Sequence, residues 1–131
     1  MSNVITDEIK SVIEGQVPIV ATVNPDGTPN VGPKMSLRPW DDTTLVFSEM
    51  TQGQTLANVQ AGSKVAVAIV NPALRDGYRF VGTPEVVESG PAWESMRASY
   101  EAVGRPAPKY VVLLPVEQIF TLKAGQAGQP V

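Results

Sequence analysis

The sequence predicts a mainly β protein: one antiparallel barrel of six or seven strands with two or three short helices. Three observations carry that expectation. Short runs of β-branched and aromatic residues recur at 17–23, 44–48, 64–70 and 77–88, each bounded by Gly, Pro, Asn or Asp. A Pro25-Asp26-Gly27 turn joins two such runs, with proline presetting φ and glycine free to take a left-handed position. The chain has 131 residues and 43% apolar content, enough for one core, and shows no repeat or linker that would divide it. Residues 1–131 are therefore read as one domain.

Each element follows from local pattern. Residues 5–14 set Ile5, Ile9, Val12 and Ile13 on one helical face, with acids early and Gly15 as a stop. Residues 17–23 and 30–37 make an antiparallel hairpin about the Pro-Asp-Gly turn. Its outgoing arm is unusual, because Gly32, Pro33 and Lys34 stand where a core strand carries Val or Ile; glycine there signals a bulge or a close backbone approach. Trp40-Asp41-Asp42-Thr43 reads as a turn and 44–48 as the next strand. Residues 51–61 form a short helix with Leu56, Val59 and Ala57 inward and Gly62 closing it. Residues 64–70 are a strand covered on both faces or lying at a subunit contact. A long strand over 77–88 bends at Gly82 or Pro84. Gly90-Pro91 opens a helix over 92–103, with Trp93, Met96, Tyr100 and Val103 at three- and four-residue spacing. Residues 110–114 and 118–122 are the last strands, and the Gly-rich tail 124–131 is expected to be mobile.

Composition narrows the chemistry. A formal charge of −3 and a pI near 4.9 offer no basic field for nucleic acid or an anionic membrane. No apolar run approaches the ~18 residues of a membrane span, and no basic, long-apolar leader is visible, so a cytoplasmic protein is expected. The absence of cysteine excludes disulfides and thiolate chemistry. The absence of histidine removes the commonest general base and metal ligand, and with it Ser-His-Asp and Cys-His hydrolysis. No metal site is expected. Chemistry would rest on a cofactor, or on Lys, Arg, Tyr and carboxylates.

Three clusters could serve a ligand. Lys34 and Arg38 lie four apart and would share a strand face; the ordinary alternative is two solvated cations. Ser48, Thr51, Gln54 and Thr55 gather at a strand end and a helix mouth, where N–H groups and hydroxyls suit an anion; the alternative is a simple N-cap by Thr51 or Ser48. Arg79 is a cation inside a β segment, equally suited to an ion pair with Glu85 or Glu88. Trp93 and Tyr100 read as core.

The order of these motifs is more specific than any one of them. The hairpin Pro-Asp-Gly-Thr-Pro-Asn-Val-Gly-Pro-Lys, a Thr-Leu-Val-Phe strand, then Gly-Gln-Thr-Leu-Ala-Asn-Val and an alternating Val-Ala strand resemble the pyridoxamine 5′-phosphate oxidase-like family of FMN-binding split β-barrels, from about Ile19 to Leu122. The resemblance implies a homodimer with FMN in the groove between two barrels. It implies a flavin ring against Gly32, Pro33, Lys34, Met35 and Ser36, with Lys34 or Arg38 beside the N1–O2 edge. It also implies a phosphate at Ser48, Thr51, Gln54 and Thr55. Many relatives carry a cation at Gln54 or Thr55; with neutral residues there, Arg38 and Arg79 would supply the charge. The deazaflavin F420 is the alternative cofactor. Vitamin B6 oxidation is not expected, because the Arg and His that clamp pyridoxal phosphate have no counterpart. The function implied is a small FMN-dependent oxidoreductase, acting on a small organic substrate or passing electrons to a partner. The alternatives are a non-catalytic flavin or F420 carrier and a ligand-free interaction module. No residue is nominated as catalytic, although Tyr78 is a candidate for proton supply.

Overall fold

The computed structural model describes residues 3–131. Eight strands and three helices follow in the order α1 (Asp7–Ile13), β1 (Pro18–Val23), β2 (Pro29–Pro33), β3 (Arg38–Asp41), β4 (Thr44–Glu49), α2 (Gln54–Gln60), β5 (Val65–Asn71), β6 (Asp76–Gly82), β7 (Glu85–Val87), α3 (Pro91–Ala102) and β8 (Tyr110–Thr121). All ladders are antiparallel, in the order β2-β1-β5-β6-β8-β4-β3, with β7 also on β8. β2 and β3 end this path and no ladder joins them among the described residues, so the curled sheet stays split along one seam.

The hairpin forms as its sequence demands. Gly27 takes φ 87°, while the Asp26 carboxylate accepts from the Thr28 amide at 3.0 Å and its hydroxyl at 2.6 Å. Those bonds hold the Asp26 carboxyl below its ordinary range, the Thr28 hydroxyl first among the causes. The β1–β2 register runs unbroken from Ile19↔Pro33 to Val23↔Pro29, so Gly32 makes no bulge.

Alternation decides the core. Val20, Val67, Phe80 and Ile119 face inward and join Ile5, Ile9, Leu45, Phe47 and Leu114. Thr6 caps α1 by accepting from the Ile9 amide, and α1 lays Ile9, Val12 and Ile13 on that core as its periodicity predicts. The far side of β4 is covered by α3, through Val46, Ala92, Met96 and Val111.

The structure corrects several boundaries. The outgoing hairpin strand ends at Pro33; Lys34 to Leu37 form a turn, with the Leu37 amide donating to the Lys34 carbonyl. Arg38 begins a separate strand, so Lys34 and Arg38 share no strand face. The expected turn at 40–43 is shorter, since β3 runs on to Asp41, which pairs with Thr44 of β4, while Trp40 sits at a shift in the register. Ala57 is exposed and Asn58 is buried in its place; α2 starts after Gly53 without a side-chain cap. β5 alternates between buried and part-exposed residues and is not covered on both faces within one chain. Val103 is exposed at the end of α3. The two last strands are one, β8, whose Pro115 lacks an N–H and stands where pairing passes from β4 to β6. The Gly-rich tail turns back along β8, with the Gly128 amide donating to Thr121 and the Val131 amide to Ile119.

Candidate functional site

The seam is where the unusual residues of the hairpin come together. As the end strand of the path, β2 offers one unpaired backbone edge to it. Gly32 pairs with Val20 and so lies on the inward row, yet a β-carbon built on it would meet nothing within 4 Å. A glycine beside open space is what close approach of a flat ligand requires.

Side chains, not a ladder, tie segment 34–37 to the end of β4. Lys34 Nζ lies 2.6 Å from Glu49 Oε1, with Glu49 fully buried and the Lys34 side chain 15% exposed. Neither Glu49 oxygen accepts an aligned hydrogen bond from the described residues. Glu49 shares its inward parity with Leu45 and Phe47, a period-two signal that could have singled it out in the sequence. Ser36 Oγ accepts from the Ser48 amide at 2.9 Å and from its hydroxyl at 3.0 Å. Ser48 Oγ also shares a short bond with the Tyr100 hydroxyl, which brings α3 to the seam. Tyr100 was expected only in the core.

A second polar network fastens α2 over the hairpin. Asn58 Nδ2 donates to Thr22 Oγ1 at 2.9 Å and Asn24 Oδ1 at 2.8 Å, while Gln54 Nε2 donates to Asn58 Oδ1 at 2.7 Å. Asn30 Nδ2 bridges Thr22 Oγ1 and Thr55 Oγ1 at 3.2 and 3.1 Å. Every polar group of the buried Asn58 side chain is thereby used, as burial requires. Gln54 and Thr55 are engaged in this network, and Thr51 is exposed next to Gln52, which takes a left-handed φ of 51°. Thr22, Asn30 and Asn58 carried no clear signal alone, because only the register brings them together.

Arg38 Nη2 donates to Ser95 Oγ at 3.2 Å and has no carboxylate partner among the described residues. With Met35, Leu37 and Trp40 it lines a cleft of about 860 Å³ against α1, a volume within the range of small-molecule sites. Pro33 stands at the strand end facing outward with Ile19. Arg79 lies apart from the other candidates. It sits on the outer face of the sheet, its guanidinium 4.5 Å above the Phe120 ring instead of in an ion pair with Glu85 or Glu88. Tyr78 belongs to the core, and burial, followed by Asp76 and Glu8, pushes its hydroxyl above the ordinary value, which leaves it a poor proton donor near neutrality. Among the described residues no group of acids could hold a metal ion, and no helix is long and apolar enough to cross a membrane.

Comparison with known proteins gives consistent matches. The family model described as pyridoxamine 5′-phosphate oxidase matches residues 5–124. The crystal structure of HupZ from Group A Streptococcus is 40% identical, with a TM-score of 0.84, covering 94% of this chain and 98% of that one. A putative pyridoxamine 5′-phosphate oxidase from Lactobacillus delbrueckii is 32% identical, with a TM-score of 0.80 and coverage of 91% and 95%. An uncharacterized protein of Methanocaldococcus jannaschii is 26% identical over 92% of this chain and 83% of its own length. An F420 reductase at 23% identity and an FMN-binding protein from Syntrophomonas wolfei at 16% share the fold alone, with TM-scores of 0.68 and 0.69.

Proposed function

Given that this chain belongs to the pyridoxamine 5′-phosphate oxidase family, we propose that it is a homodimeric FMN-binding flavoprotein that reduces a small organic substrate or relays electrons. The observation that carries the reading is the open seam at Gly32, where an unpaired strand edge and an absent side chain leave room for a planar ring. FMN, when bound, supplies hydride and electron transfer; the chain binds, orients and screens it.

The residues present suit the ring end of FMN better than its phosphate end. Backbone groups of Gly32 to Ser36 would meet the ring's polar edge, and Arg38 would serve as the cation without a carboxylate partner. For the phosphate, hydroxyls of Ser48, Thr51 and Thr55 and the Gln54 amide stand where a cation would bind more strongly. This neutral mouth, with the fold likeness to an F420 reductase, favours F420 as the second reading.

The dimer rests on the outer sheet face. Register sets Val31, Ala21, Ala66 and Val81 in one row and Ile19, Ala68, Arg79 and Phe120 in the next. Val23, Val31 and Val70 stand exposed there. A sheet face of small and β-branched residues, with Arg79 lying over Phe120, suits a second copy of this chain. The shared groove would then place Arg79 near the partner's cofactor.

The test is uptake of FMN by purified protein, followed by absorbance and light scattering. A dimer that binds FMN supports the proposal. A protein that takes up neither FMN nor F420, or that binds cofactor as a monomer, overturns it. The carrier alternative is separated by turnover: bound flavin that NAD(P)H or dithionite reduces, but that no acceptor reoxidises faster than oxygen, is a carrier's.

A further inference from the structure

One buried group is left unexplained by the fold. Glu49 is fully buried, and apart from Lys34 Nζ at 2.6 Å its carboxylate has no partner among the described residues. Burying an ion pair costs desolvation that the mutual attraction only roughly repays, so such a pair adds little stability and calls for another reason. The Lys34–Glu49 contact spans the seam at the middle of the segment proposed to carry the flavin ring. A lysine so placed would stabilise the negative charge of a reduced flavin, but here its charge is already matched and its side chain drawn inward.

We propose that Glu49 is a positioning residue: it holds Lys34 in a neutral buried pair across the seam, so that the reduced flavin meets no free cation from Lys34 and the midpoint potential stays low. Arg38, without a carboxylate, remains the cation for the ligand. The proposal rests on the flavin reading above, and it differs from the simpler expectation that Lys34 itself stabilises the reduced ring.

The test is a double-mutant cycle read by the midpoint potential of bound FMN, with circular dichroism to confirm folding. Glu49→Gln leaves the pair with a net positive charge, and is expected to raise the ratio of reduced to oxidised flavin at a fixed poise about tenfold, which is about 30 mV for a two-electron couple. Lys34→Met leaves Glu49 without its counter-charge, and measured at a pH high enough to keep that buried carboxyl ionised it is expected to lower the potential. The double variant Lys34→Met/Glu49→Gln is neutral, replaces the pair with residues of similar length, and is expected to return close to the wild-type value even if Lys34→Met alone folds poorly. A seam that is merely loosened would not produce shifts of opposite sign that cancel. FMN bound equally by all variants at one potential overturns this inference and leaves the flavin reading standing. A wild-type protein that takes up no flavin overturns both.

Discussion

The carbonyl oxygen of Pro115 occupies the space that a β-carbon on Gly82 would need. The Gly82 end of β6 therefore lies against β8 at the point where β8 hands its pairing from β4 to β6. Gly82→Ala must push a backbone carbonyl aside and is expected to cost about 1–3 kcal/mol. A fall in the urea midpoint with unchanged slope would show it.

Gly32 gives the opposite result, because nothing stands within 4 Å of its missing β-carbon. Gly32→Ala is expected to change stability by less than about 0.5 kcal/mol. Gly32→Val should keep the barrel folded by circular dichroism while blocking flavin. Retained FMN in that variant would move the ring to another strand.

Asn58→Ala removes the centre of the network that ties α2 to the hairpin, leaving Thr22, Asn24 and Gln54 each short of a partner. The expected loss is about 1–3 kcal/mol, read from chemical denaturation. Gln54→Ala at the exposed rim should cost well under half as much. Equal effects would mean that the buried amide is solvated in the folded protein.

Replacing both Gln54 and Thr55 with Ala should weaken FMN about tenfold or more and riboflavin little, since each lost hydrogen bond to a charged phosphate is worth about 1.5–3 kcal/mol. Titration calorimetry with both ligands decides it; equal losses would place the phosphate elsewhere.

The Tyr78 hydroxyl titrates higher in the folded chain than its ordinary value near 10. Between those two values the unfolded chain has lost the proton and the folded chain keeps it, so stability is full below about pH 10 and falls as pH rises beyond. Tyr78→Phe should flatten this part of the pH–stability curve. Parallel curves for the two proteins, measured by urea unfolding on either side of pH 10, would remove Tyr78 as the cause.

Much of this fold was legible because it follows from short-range rules. Pro25-Asp26-Gly27 needs only its own dihedrals and the Asp26–Thr28 bonds to turn the chain. The face of α1 follows from the spacing of Ile5, Ile9, Val12 and Ile13. The end of the hairpin arm and the continuity of β8 were not legible. Pro33 ends the arm, whereas Pro115 lies inside one unbroken strand where pairing passes from β4 to β6, and both depend on which strand lies alongside. The candidate site was legible in part. Gly32, Ser36 and Ser48 were singled out and lie at the seam. Glu49 carried a period-two signal but none for its partner Lys34, and Asn58 and Tyr100 acquire their roles only through partners distant in sequence.

What the sequence determined by itself was the kind of chain: a barrel-forming pattern of strands about one strong turn, without the thiols or imidazoles of the common hydrolases. Tertiary structure decided where the charges go. It put Lys34 against Glu49, Arg79 over Phe120, and left Arg38 without a carboxylate among the described residues. Charge placement depends on register and on which strands end the sheet, and those are settled by burial of the whole core, which no local pattern specifies.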